Sequence, residues 1–156
     1  MKVFATEAEA EAVLARAVVG EALDWVGTPY RHQASRKGVG CDCLGLLRGV
    51  WRALYGFEPE DPGPYSADWA ETGKDDRLLN AARRCCRERA PRELAAGHVI
   101  ILRWRPHLPA KHVGILTAPG QFVHAYQGSR VVVSALVPQW RRRIAGVFAF
   151  PPLPNA

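Results

Sequence analysis

The sequence lacks any apolar run long enough to cross a lipid bilayer. Its longest apolar segments, such as Val99 to Leu102, are far shorter than the roughly 20 residues that a membrane helix needs. The first residues also lack the hydrophobic segment and the small-residue cleavage site of a signal peptide. We therefore expect a protein with no membrane span, made in the cytoplasm and not passed through the general secretory route.

Cysteine is scarce, with four residues among 156. They form two close pairs, Cys41 with Cys43 and Cys85 with Cys86, whereas a disulfide scaffold is denser in cysteine and usually carries a signal peptide. We expect four free thiols. The spacings match no familiar structural zinc site, so no metal or other cofactor is expected. A metal-bound interaction module stays open as an alternative.

The composition also lacks the polar excess that is typical of disordered chains. Hydrophobic residues make up 48% of the sequence, and the formal net charge is +6. One domain is expected over residues 1–156, with its core at about 23–150. The positive charge permits contact with an anionic cell wall or an acidic protein face. No nucleic-acid recognition motif accompanies it, so nucleic acid is not an expected partner.

The order of predicted elements is helices first and strands second, which indicates an α+β fold with helices packed on an antiparallel sheet. Three helices are predicted, at residues 6–26, 42–55 and 75–89. Five strands are predicted, each pairing antiparallel with the next, at residues 98–104, 112–117, 122–126, 131–136 and 144–150. The five tryptophans are expected in the core or in groove walls: Trp25, Trp51, Trp69, Trp104 and Trp140.

Cys43 is the cysteine whose position suggests chemistry. It falls in the first turn of the second helix, where unpaired backbone amides and the positive end of the helix dipole favour a thiolate. Asp42 before it is expected to cap the helix. Gly45 is expected to leave room for a substrate. A buried cysteine with no function remains the simpler alternative for Cys43 alone.

Two histidines supply the partners that a nucleophilic thiol needs. His112 begins one predicted strand and His124 lies within the next, so the chain order is cysteine, histidine and second polar group, as in papain-like enzymes. The two rings share a face only if the connecting loop has an odd number of residues or a β-bulge resets the alternation. Residues 118–120 are the candidate loop.

Four motifs in register, spread over residues 23–150, resemble those of NlpC/p60 cysteine peptidases. They are Thr28-Pro29-Tyr30, Asp42-Cys43-Leu44-Gly45-Leu46, His112-Val113-Gly114-Ile115 and Phe122-Val123-His124-Ala125. The resemblance implies a papain-like α+β fold and cleavage of peptidoglycan stem peptides, typically between D-glutamate and the diamino acid. It implies that Cys43 is the nucleophile, His112 the base and His124 the residue that orients it. Tyr30 matches a tyrosine beside the nucleophile and is expected to help bind the oxyanion.

Residues 30–43, 103–106 and 140–143 resemble more narrowly the members found in tails of phages and gene transfer agents. This resemblance implies an enzyme that is assembled into a phage-like tail, has tail-hub or tail-tip proteins as partners and acts on the cell wall. Two alternatives stay open. One is an amidase of related fold, and the other is a structural tail component that keeps the fold for docking and has little activity.

Overall fold

A computed structural model describes residues 6–65 and 75–154 of the chain. The helices within these residues are α1 (Glu7–Asp24), α2 (Cys43–Tyr55), α3 (Arg77–Cys85) and α4 (Pro138–Arg141), with a 3-10 turn at Pro91–Glu93. The strands are β1 (Ser35–Arg36), β2 (Gly40–Cys41), β3 (Arg87–Arg89), β4 (Val99–Leu102), β5 (His112–Ala118), β6 (Gln121–Ala125), β7 (Val131–Ala135) and β8 (Ile144–Ala149). The predicted α+β fold is confirmed. In the described part of the chain, no helix is both long and apolar enough to cross a membrane.

The ends of α1 and α2 follow from local sequence. Thr6 and Glu9 form the predicted capping box, in which each side chain binds the other residue's backbone N–H. Asp42 caps α2 by accepting a hydrogen bond from the amide of Gly45. Gly56 ends α2 in the left-handed conformation, with φ of +79°, which glycine adopts without steric cost.

A six-stranded antiparallel sheet follows the helices, in the order β3-β8-β4-β5-β6-β7. All five predicted strands are present, but the prediction that each pairs with the next is wrong for β7 and β8. The short helix α4 lies between them, and β8 pairs instead with β4 and β3. Trp140 of α4 packs on the face of the sheet that α1 and α2 leave uncovered. The chain therefore crosses this face between β7 and β8.

The predicted third helix ends earlier than its sequence suggests. It stops at Cys85, because the backbone of Cys86 is extended, and Arg87–Arg89 form the edge strand β3 instead of a last helical turn. Arg87 and Arg89 both pair with Glu11 of α1. The strand therefore gains ladder hydrogen bonds to β8 and ion pairs to α1, neither of which local helix propensity can anticipate.

The sheet has an apolar core on each face. The face covered by α1, α2 and α3 holds the larger core, which includes Val99, Ile101, Val113, Ile115 and Val123. The opposite face holds a smaller one around Leu102, Leu116 and Phe122, closed by Leu136 and Trp140. Alternate residues of the central strands are therefore buried on both sides, which explains why β4 is apolar throughout.

Gly49 sets how closely α1 and α2 approach. A Cβ at this position would lie 2.0 Å from the buried indole ring of Trp25, whereas a Cβ on Gly20, on the exposed side of α1, would meet no atom within 4 Å. We expect Gly49→Ala to destabilise the fold by about 1–3 kcal/mol through overpacking. We expect Gly20→Ala, the matched control, to stabilise it by about 0.5–1 kcal/mol through helix propensity.

Urea unfolding followed by circular dichroism measures both free energies. Equal effects of the two substitutions would contradict the close packing of Gly49 on Trp25.

Candidate active site

A pocket of about 280 Å³ opens where the N-terminus of α2 meets the start of β5. Tyr30, Cys43 and His112 all line it. The structure therefore brings three of the four predicted site residues to one cavity. His124, the fourth, lies behind His112 and is fully buried.

Asp42 fixes the first turn of α2 and thereby the position of Cys43. One of its carboxylate oxygens accepts the Gly45 amide at 2.7 Å. The other accepts the amide of Gln33 at 2.7 Å and the hydroxyl of Tyr65 at 2.5 Å. Asp42 is 3% exposed, so these three donors replace the water that a buried carboxylate loses. The predicted capping role is confirmed, and the network extends beyond it to Gln33 and Tyr65.

Gly45 has a packing role, which differs from the role expected from the sequence. A Cβ on this residue would lie 1.8 Å from the carbonyl oxygen of Ala34. The hydroxyl of Ser35 donates to the Gly45 carbonyl at 2.6 Å. Gly45 therefore lets the preceding loop pack directly on the first turn of α2, and the expectation that it leaves room for a substrate is wrong.

A β-bulge places the two histidines on one face of the sheet. Ala118 pairs with Gln121, which leaves an even, two-residue turn at Pro119-Gly120 that would by itself put the rings on opposite faces. The register shifts by one residue between Leu116 and Ala118, and Leu116 then pairs with Phe122. One of the two conditions derived from the sequence, a resetting bulge, is thus met.

The histidine rings form a chain of side-chain hydrogen bonds. Nε2 of His112 lies 2.8 Å from Nδ1 of His124, and Nε2 of His124 lies 2.8 Å from the hydroxyl oxygen of Ser134. Nδ1 of His112 takes no part in these two hydrogen bonds. If that nitrogen is to accept a proton, His112 must donate from Nε2 to His124, and His124 must then donate from Nε2 to Ser134.

Ser134 is not among the site residues predicted from the sequence. Its place on β7 follows from the register, since Ser134 pairs with Phe122 and so shares a face with His124, two residues further along β6. The alternation of side chains between the two faces of β7 places Ser134 on one of them. Which face this is can be decided only once the pairing of β6 and β7 is known.

The Cys43 thiol is not ionised by its place at the helix end. Burial, with the negative charge of Asp42 acting in the same direction, raises the pKa of Cys43 to about 12. Backbone N–H groups, including that of Val113, act in the opposite direction but do not offset burial. The thiol donates to the carbonyl oxygen of Lys111 at 3.7 Å. The expectation of a resting thiolate is therefore wrong for this pocket.

Burial also keeps both histidine rings neutral. It lowers the pKa of His112 to about 3, with the nearby His124 and Lys111 acting in the same direction. It lowers the pKa of His124 to about 4. The resting site at neutral pH thus holds a thiol and two neutral imidazoles. In this state, His112 can act as a base through its unengaged nitrogen.

Tyr30 also lines the pocket, and its backbone is held by the neighbouring segments. Its amide donates to the carbonyl of Ser129 at 3.0 Å, and it bridges to Cys41. Burial raises the pKa of Tyr30 to about 12, with the nearby Cys43 sulfur and the Asp42 carboxylate acting in the same direction. Its hydroxyl is therefore protonated at neutral pH and is able to donate a hydrogen bond.

Aromatic rings form the remaining wall of the pocket. The indole of Trp104 stacks on His112 with ring centroids 5.4 Å apart, and Trp140 lies 6.1 Å from the same ring. Trp25 and Trp51 are buried in the core. Four of the five tryptophans thus occupy the predicted kinds of position, and Trp69 lies outside the described residues.

All four cysteines are free thiols, as predicted. Cys41 is buried beside the site, whereas Cys85 and Cys86 lie at the far end of α3. Over residues 6–65 and 75–154, no three side chains of histidine, cysteine, aspartate or glutamate gather in a way that could hold a metal ion.

Comparison with known proteins identifies related domains. The model of the NlpC/P60 family matches residues 27–148. The murein DD-endopeptidase MepS/murein LD-carboxypeptidase of Escherichia coli (strain K12) is 30% identical over 128 residues, which are 81% of this chain and 57% of that protein. The gamma-DL-glutamyl hydrolase of Bacillus subtilis (strain 168) is 26% identical over 134 residues, 85% of this chain and 29% of that protein. The chain thus spans less than two thirds of either relative.

Solved structures show the same fold. The NlpC/p60 domain of the peptidoglycan hydrolase SagA superposes with a TM-score of 0.56 at 27% identity, covering 88% of this chain and 97% of that domain. An NlpC/P60 family protein from Bacillus cereus ATCC 10987 superposes with a TM-score of 0.63 at 19% identity, covering 90% of this chain and 40% of that one.

The neutral histidines predict how stability depends on pH. The folded-state pKa values of His112 and His124 lie below the value of about 6.5 for an unfolded histidine, so the unfolded chain binds protons first. Their contribution to stability is therefore complete above about pH 6.5 and is lost as the pH falls towards the folded values. We expect a loss of up to about 1.4 kcal/mol per pH unit for each ring.

Urea unfolding at pH values between about 5 and 7 measures this slope. His124→Asn removes one of the two buried rings and should reduce the slope, whereas His107→Asn changes an exposed ring and should leave it unchanged. An unchanged slope in His124→Asn would show that His124 is not held neutral in the fold.

Proposed function

Since the chain belongs to the NlpC/P60 family, we propose that it is a cysteine peptidase that hydrolyses amide bonds in peptidoglycan stem peptides. One observation carries the proposal: the thiol of Cys43 and the ring of His112 line the same pocket, and His112 is hydrogen-bonded to His124. Related proteins, including SagA, are named as peptidoglycan hydrolases. The substrate class is carried over to this chain from them.

In the first half of the reaction, Sγ of Cys43 attacks the carbonyl carbon of the scissile amide. His112 takes the thiol proton through Nδ1 as the bond forms, because the resting thiol is not ionised. The imidazolium then gives this proton to the leaving nitrogen. The carbon–nitrogen bond breaks, the amine departs and a thioester on Cys43 remains.

In the second half, neutral His112 takes a proton from water, and the resulting hydroxide attacks the thioester. The acyl group leaves as a carboxylic acid, and His112 returns the proton to Cys43. The Cys43 amide and the Tyr30 hydroxyl are the proposed donors to the oxyanion in both steps. His124 holds the His112 ring and, by its bond to Ser134, the tautomer that the base requires.

The proposed scissile bond joins D-glutamate to the diamino acid. The name of the Bacillus subtilis relative, a gamma-DL-glutamyl hydrolase, supports a γ-glutamyl bond. The Escherichia coli relative is named for DD-endopeptidase and LD-carboxypeptidase activities, which concern other bonds. Product analysis separates this peptidase from the amidase alternative, because cleavage at D-glutamate frees the amino terminus of the diamino acid, whereas an amidase frees the carboxylate of the lactyl group on muramic acid.

The proposed setting is the tail of a phage-like particle, with tail-hub or tail-tip proteins as partners and the cell wall as the place of action. The resemblance of residues 30–43, 103–106 and 140–143 to phage-type members supports it. Mass spectrometry of purified particles tests it, since the chain should be present in the tail. A structural tail component with little activity is the alternative, and it predicts no turnover of isolated wall.

Cys43→Ala is expected to stop the release of soluble fragments from purified sacculi, by about a thousandfold or more, because it removes the nucleophile. Cys85→Ala is the matched control, since it deletes a thiol outside the pocket and should leave the rate unchanged. Chromatography with mass spectrometry measures the fragments, and circular dichroism verifies that each variant is folded.

Retained turnover in Cys43→Ala would refute the thiol mechanism. In the same assay, His112→Ala should lower the rate of fragment release more than His124→Ala, because the first removes the proposed base and the second removes only the residue that orients it. The reverse order would exchange the two roles.

A further inference from the structure

Arg143 lies at the pocket that holds Cys43 and His112. Its guanidinium carbon is 5.4 Å from the ring centroid of Trp104 and 5.6 Å from that of Trp140. The residue is exposed. Within residues 6–65 and 75–154, its guanidinium forms neither an ion pair nor a side-chain hydrogen bond, so contacts with the two indole faces are what hold it.

The acid that lines the pocket is already bound within the protein. Among residues 6–65 and 75–154, Asp42 is the acidic residue of the lining, and its carboxylate is buried and bound by three donors. A ligand that enters past Trp104 therefore meets the guanidinium of Arg143, while this acid is already occupied.

We propose that Arg143 binds a carboxylate that flanks the scissile amide of the substrate, an inference that rests on the proposed function. A guanidinium presents its N–H donors in a planar fork that matches a carboxylate, and such paired bonds are strong when both groups are charged. Packing on two indole rings restricts the side chain before the ligand arrives, which reduces the conformational entropy lost on binding. Arg143 is thus a specificity residue.

Trp104 connects this carboxylate site to the reaction centre. The indole that contacts Arg143 also stacks on His112, with ring centroids 5.4 Å apart. Arg143 and the imidazole of His112 therefore contact the same indole. The substrate then has one polar anchor on this side of the pocket and its scissile amide at Cys43.

Two pairs of synthetic stem peptides test the proposal. In each pair, one peptide carries a single free carboxylate next to the scissile amide and the other carries a carboxamide at the same place. The first pair has this group on the acyl side and the second has it on the side of the leaving amine. Cleavage is measured as kcat/KM, and binding is measured by calorimetry on Cys43→Ala, which does not cleave.

The wild type should favour the carboxylate of at least one pair by about tenfold to a hundredfold, the range expected for a charged hydrogen bond. Arg143→Met should remove this preference by lowering kcat/KM for the carboxylate peptide alone, mainly through a higher KM. Arg143→Lys should restore part of it, because lysine keeps the charge and loses the fork. Arg142→Met is the matched control, since the neighbouring arginine does not line the pocket, and it should keep the preference.

A wild type without a preference in either pair would overturn the proposal. So would an equal loss for carboxylate and carboxamide in Arg143→Met, since that result indicates a structural role for the arginine. If the wild type cleaves no peptide, the proposed function fails for these substrates. Binding to Cys43→Ala, with and without Arg143→Met, then still decides the role of Arg143, and no measurable binding would also count against it.

Discussion

The buried carboxylate of Asp42 is the interaction on which the rest of the site depends. It joins the amide of Gln33, the amide of Gly45 and the hydroxyl of Tyr65, which belong to three separate segments of the chain. The first turn of α2 is thereby fixed against the preceding loop, and Cys43 with it. Burial raises the pKa of Cys43, and the same negative charge acts in the same direction, so the group that positions the thiol also opposes its ionisation. The proposed mechanism therefore needs a base that removes the thiol proton during attack.

The proposed base, His112, lies on the other face of the sheet. A one-residue bulge in β5 turns His112 and His124 to the same side, where burial keeps both rings neutral. Neutral rings can hold a definite pattern of donors and acceptors, and Ser134 completes this pattern at its far end. The proposed nucleophile therefore depends on a helix cap and the proposed base on a strand register, and the two meet at the end of the sheet where α2 begins.

Local signals in the sequence are sufficient for α1, for α2 and for the position of Cys43. Capping residues, a stop glycine and helical spacing act over a few residues, so these elements can be predicted without knowing the fold. The edge strand β3 and the pairing of β8 with β4 cannot be predicted in this way, because ion pairs to Glu11 and the path of α4 determine them. The contacts of Ser134, Tyr65 and Arg143 could not be predicted for the same reason, since each reaches residues far away in the sequence or depends on the packing of two indole rings.

Trapping the acyl-enzyme tests the central claim most directly. The wild-type chain is mixed with a stem peptide, quenched in acid within the first turnover and digested, and the peptide that contains Cys43 is weighed by mass spectrometry. The account predicts the added mass of the acyl fragment on Cys43, present at early times and lost as hydrolysis proceeds. Hydrolysis with no acyl group on Cys43 at any time, or with the group on Cys41, would contradict it.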